Sequence, residues 1–119
     1  MMASTQGLVL YAGMDAPVVI GFADVGRGKW VDLRPFGRWR LELTPVDGRP
    51  PVVLDTSIQP ALMTVVAVQT HGGTVYGLRI DPQYIPEAYR GQYLGRLTGF
   101  SPEYDNGHPF ADRWPVEIR

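Results

Sequence analysis

Hydrophobic and polar positions alternate with a period of two along most of this chain, and no stretch of useful length shows helical spacing. Alternation of that kind places successive side chains on opposite faces of an extended strand. Residues 36–44 give the cleanest case. There Trp39, Leu41 and Leu43 point one way, while Arg38, Arg40, Glu42 and Thr44 point the other. One face is suited to a core and the other to water. Residues 74–80 repeat the pattern, with Tyr76, Leu78 and Ile80 inward and Val75, Gly77 and Arg79 outward. A closing strand over 113–118 turns Trp114, Val116 and Ile118 inward.

Other strands follow from shorter signals. Residues 7–12 form a first candidate and 17–25 a second, with Val18, Ile20 and Phe22 on one face and Val19, Gly21 and Ala23 on the other. Apolar side chains on both faces mark a strand that is covered twice or an edge that meets a partner. A short extended block is expected at 28–33, and a full strand at 91–100. Residues 61–70 and 74–80 flank His71-Gly72-Gly73, which reads as a hairpin.

Glycine (14) and proline (11) divide the chain into these short pieces. Asp47-Gly48 supplies turn chemistry after the strand at 36–44, and Pro50-Pro51 forbids a central strand directly beyond it. Pro86 to Gly91 is predicted to make a single helical turn. A loop is expected over 101–112. The sum is an all-β chain: one antiparallel β-sandwich of seven to eight strands in a single domain over 1–119, with residues 1–7 as a possible N-terminal arm.

Composition narrows the function classes. At 119 residues the chain suits one core, and a domain of that size folds without staples. It contains no cysteine, which removes disulfides and thiolate metal sites. The net charge of −1, from 11 basic and 12 acidic residues, gives no general attraction to phosphate backbones or anionic lipid, so neither nucleic acid nor membrane is expected as a partner. The start lacks the basic and apolar regions of a signal peptide, and Val65-Val66-Ala67-Val68 is the longest apolar run, so a soluble protein made in the cytoplasm is expected. Lys29 is the only lysine among the basic residues. This arginine preference reads as codon bias, with interface chemistry as the other explanation.

Candidate chemistry is sparse. His71 and His108 both lie beside glycine or proline in predicted turns, without the spacing of zinc ligands. Asp105-Asn106-Gly107 is oxygen-rich but lacks the calcium-loop pattern, and reads as a turn with Gly107 in the left-handed position. Ser4, Ser57 and Ser101 stand in no nucleophile elbow. No catalytic residue, cofactor or metal is expected, and no enzyme. Aromatic residues are the exception to this silence. Tyr84, Tyr89, Tyr104, Phe110 and Trp114 gather in the last third of the chain. They either cap the open ends of the core or form a recognition surface for a protein or for sugar rings.

Three segments carry a family resemblance: Trp30-Val31-Asp32-Leu33, the strand and turn from Trp39 to Gly48, and Gly91-Gln92-Tyr93-Leu94-Gly95-Arg96-Leu97 followed by Trp114-Pro115-Val116-Glu117-Ile118. Together they resemble the immunoglobulin-like N-terminal domain of phage baseplate upper proteins and related tail modules, over residues 17–118. The family module usually heads a longer fibre-like protein, and its loop is shorter than that expected at 101–112. The resemblance implies an immunoglobulin-like sandwich acting as a tail, connector or capsid-decorating protein, present in the host cytoplasm during assembly and then in the virion. Its partners would be other virion structural proteins or copies of itself in a homo-oligomer or ring, with no catalytic residues carried over. The partner-binding residues expected are Val18, Ile20, Phe22, Tyr84, Tyr89, Tyr104, Phe110 and Trp114. A carbohydrate-binding β-sandwich is the alternative.

Overall fold

The computed structural model describes residues 7–24 and 26–119. The expected N-terminal arm, apart from Gly7, and Val25 of the second predicted strand lie outside the described residues. Among the described residues ten strands are present: β1 (Leu8–Leu10), β2 (Val18–Ile20), β3 (Ala23–Asp24), β4 (Lys29–Trp30), β5 (Arg38–Pro45), β6 (Val52–Asp55), β7 (Met63–Thr70), β8 (Gly73–Ile80), β9 (Gly91–Phe100) and β10 (His108–Ile118). Among the described residues the only helical pieces are single 3-10 turns at Pro60–Leu62, Pro82–Tyr84 and Glu87–Tyr89. The all-β expectation therefore holds.

Two main sheets account for eight of the strands. One has five strands in the order β1-β10-β9-β5-β6, and the other three in the order β2-β8-β7. β1 runs parallel to β10, and the other pairings are antiparallel. β3 and β4 form a separate two-stranded ribbon. The inward rows of both sheets share one core: Trp39, Leu41 and Leu43 from β5, Tyr93 and Leu97 from β9, Val116 and Ile118 from β10, and Leu78 and Ile80 from β8. Period-two burial along β5 is what drives this arrangement, because each inward leucine or tryptophan leaves water while its neighbours keep their charges in it.

Four expectations are corrected. The predicted strand at 17–25 is broken after Ile20, where β2 leaves β8 and Phe22 turns into the core. The extended block at 28–33 is a strand only at Lys29–Trp30, beyond which Leu33 is buried from a loop. Leu62 belongs to a 3-10 turn, so that hairpin arm begins at Met63. The loop expected over 101–112 ends early, because β10 already starts at His108. Its register against β9 shifts twice, between Pro109 and Ala111 and between Ala111 and Trp114, and Arg113 takes a φ of 53° in the second irregularity. Such bulges interrupt the alternation on which strand prediction depends. Within the shortened loop, Gly107 does adopt the left-handed backbone, with a φ of 99°.

Two local bonds fix how strands enter the sandwich. The Tyr93 hydroxyl, near the start of β9, donates to the Tyr89 carbonyl four residues upstream. At the end of β6, the Asp55 carboxylate accepts from Arg38 Nε at 3.0 Å and Nη2 at 2.7 Å, and from the Ser57 backbone N–H at 2.9 Å. Thr56 Oγ1 then accepts from the Trp39 N–H at 2.9 Å, which ties the turn after β6 to the core strand.

Candidate interaction surface

Most of the charge on this molecule is spent internally. Eight arginines lie within salt-bridge distance of an acid: Arg27 of Asp24, Arg34 of Asp32, Arg38 of Asp55, Arg40 of Glu42, Arg49 of Asp47, Arg79 of Asp81, Arg90 of Glu87 and Arg119 of Glu117. Most join neighbours in sequence, so each of these guanidinium charges has a carboxylate close by. The Arg38 guanidinium, followed by the Ser57 N–H, holds the Asp55 carboxyl well below the ordinary carboxylate range despite its burial. Arg119 is raised above its ordinary value by Glu117 and then by the Tyr11 hydroxyl.

The outward face of the five-stranded sheet carries many of these pairs. Arg38 lies 4.4 Å and Arg40 5.1 Å from the centre of the Phe100 ring, so two cations share one aromatic side chain. Glu42 stands opposite Arg96 across β5 and β9, while Arg40 Nε is 3.0 Å from Glu42 Oε1. At the other end of this face a shallow depression of about 380 Å³ runs over Val9, Val46, Leu94 and Pro115. A second dent of about 260 Å³ opens at the β10 bulge, between Glu42, Arg96, Asp112 and Arg113.

The three-stranded sheet presents a different outward face. Cross-strand register aligns Val19 with Arg79 and Thr64, Val66 with Gly77, and Val68 with Val75. Because partners in register share a face, these residues form a patch of valine and threonine with Arg79 as its one charge. Gly77 lies at its floor. A Cβ there would sit 2.7 Å from Val19 Cγ1 and 3.1 Å from the Ile20 carbonyl oxygen, so only glycine lets β2 lie this close. Trp30 adjoins the patch across a depression of about 190 Å³ shared with Val75 and Tyr76, and is 58% exposed. Arg34 covers Tyr76 at 4.3 Å from the ring centre, and Asp32 holds Arg34.

The residues expected from sequence to bind a partner do not form one surface. Phe22, Phe110 and Trp114 are core side chains, each no more than 5% exposed, so they are corrected from partner-facing to structural. Phe110 packs at 5.0 Å from both Phe36 and Trp39 and at 5.1 Å from Phe22. Val18, Ile20 and Tyr89 are half-buried against the core. Only Tyr84 and Tyr104 are open to solvent, each 40% exposed. Tyr84 precedes β9 and Tyr104 follows it, and ten extended residues separate those ends by about 30 Å. Adjacency in the last third of the sequence is thus undone by the antiparallel course of the chain. Tyr104 also stacks on Phe36, with ring centres 6.0 Å apart, and packs on His108, which matches the capping role.

His71 is an exposed turn residue of the β7–β8 hairpin, and Asp105 and Asn106 are exposed turn residues before β10. Ser101 is buried, its hydroxyl accepting from the Tyr104 N–H. Among the described residues no three histidine or acidic side chains are placed to hold a metal ion. Sequence reasoning passed over Trp30, Val66, Val68 and Val75. The signal was available in the run at 65–68, whose apolar side chains fall on both faces of a strand. No family model, curated protein or solved structure matches this chain.

Proposed function

We propose that this chain is a non-enzymatic structural protein of a phage-like particle, a tail, connector or capsid-decorating component that works by packing against protein neighbours. One observation carries the packing role: the patch of Val19, Val66, Val68 and Val75, extended by Trp30, on the outward face of the three-stranded sheet. Contiguous apolar surface of this kind, bordered by polar residues, suits a protein interface better than it suits bulk water. The placement in a particle rests on the likeness of the three sequence segments to phage tail modules.

We read the sandwich as immunoglobulin-like. Three features support this: a first strand parallel to the last beside β9, β5 and β6; a buried Trp39 on β5; and the Tyr93 hydroxyl bonded back to Tyr89 near the start of β9. The carbohydrate-binding alternative has less support, since Tyr84 and Tyr104, the exposed members of the aromatic set expected from sequence, lie at opposite ends and share no platform for a sugar. Protein mass spectrometry of purified particles from the source cells tests the proposal. Detection at a fixed ratio to a known capsid or tail subunit is expected. Absence from the particles overturns it. Substituting Val75→Glu together with Trp30→Ala should prevent incorporation while leaving the melting transition in place.

A further inference from the structure

The four sheet edges are unequally defended. β1 and β2 offer three residues each, and Pro17 stands directly before β2. β6 has four residues, follows Pro50-Pro51, and ends where Arg38 clasps Asp55. Short strands, prolines and charges are the usual means by which an edge is kept from pairing with another chain. β7 has none of them. It runs for eight residues, Met-Thr-Val-Val-Ala-Val-Gln-Thr, with no charge, proline or glycine. Its register with β8 is unbroken from Met63 to Thr70, so no bulge turns the edge aside. Among the described residues its backbone pairs with β8 alone, which leaves alternate N–H and C=O groups along its far side to seek partners.

We propose that β7 is a self-association edge, on which a second copy of this chain pairs antiparallel about a twofold axis and joins two three-stranded sheets into one. The composition favours a second copy over a different protein. Twofold pairing sets a strand against itself, and a charge near the axis would then face its own kind; β7 has no such charge. The pleat restricts the register, since residues opposite one another must share a face. With the axis at Val66, Val66 meets its copy and Thr64 meets Val68 on the outward face, while Val65 meets Ala67 on the core side. β-branched pairs of this sort favour a sheet. The outward valine patch would then continue across the axis, doubling the apolar surface offered to a neighbour.

This inference deepens the packing role proposed above but can fail without it. Sedimentation equilibrium of the full chain over a wide concentration range is the test. The wild type should sediment as a dimer. Val66→Lys, which brings two ammonium groups together at the axis, should weaken association by about tenfold or more. Val68→Lys, at a more exposed site of the same edge, repeats the test should Val66→Lys fail to fold. Val53→Lys, on the other sheet, should leave the dimer intact. A wild type that stays monomeric throughout overturns the proposal, as does a dimer that survives both β7 substitutions. A monomer that binds a different virion protein through β7 also overturns it, while leaving the structural role standing.

Discussion

The two outward faces of this sandwich are built on one core yet carry opposite chemistry. On the five-stranded sheet, Arg38 pairs with Asp55 and Arg40 with Glu42, both arginines lie over the Phe100 ring, and Arg96 stands opposite Glu42. On the three-stranded sheet, Val19 and Val68 are exposed and Val66 and Val75 half-buried, with Arg79 as the one charge in register with them. The first face satisfies itself. The second gains free energy only when something covers it. That difference makes the valine face a better candidate for the proposed interface than the aromatics of the last third, most of which close the ends of the core.

Perturbations of the shared core should affect both faces and be the largest. Trp39→Ala removes a side chain from the middle of β5 and should cost about 3–5 kcal/mol, read as a lowered urea midpoint with an unchanged slope. Next comes the floor of the valine face. Gly77→Ala forces β2 away from β8 and should cost about 1–3 kcal/mol by the same measurement, because the Ile20 backbone cannot swing aside as a side chain could. A free-energy loss near zero would show that β2 is not held where the face requires it.

The charged face should respond to pH, and the valine face should not. Asp55 has a depressed pKa in the folded protein, chiefly through Arg38 and then through Ser57. Its contribution is therefore present above the ordinary carboxylate value of about 3.9, and is lost as pH falls through the folded value. Asp55→Asn should cost about 1–2 kcal/mol at pH 7, allowing for the partial exposure of Arg38, and the gap to wild type should narrow below about pH 4. Urea midpoints measured across that range decide the matter. A gap that widens in acid contradicts the assignment. The smallest effect is expected from Glu117→Gln. Its solvent-screened pair with Arg119 should leave the urea midpoint unchanged within the error of the same titration.

Much of the fold was legible in the residues. The alternation in 36–44 and 74–80 gave both strand and facing, since a period of two is a local property of the backbone. β10 was legible only in its last half, because two bulges break the period and Pro109 lies within the strand. The candidate surface was harder to see. Phe110 looks like a loop aromatic until β10 is extended back to His108. Val19 lies far from Val66 and Val75 in sequence and joins their face only through the order β2-β8-β7.

Composition and patterning by themselves determined an all-β chain without disulfides, the inward rows of its main strands, and a near-neutral charge balance. Those properties depend on residue type and on neighbours one or two positions away. Tertiary structure alone decided which strands became edges, that Arg38 reached Asp55, and which apolar residues stayed outside. The physical reason is that edge status and burial depend on the partners a strand acquires across the sheet, and β7 gained only one.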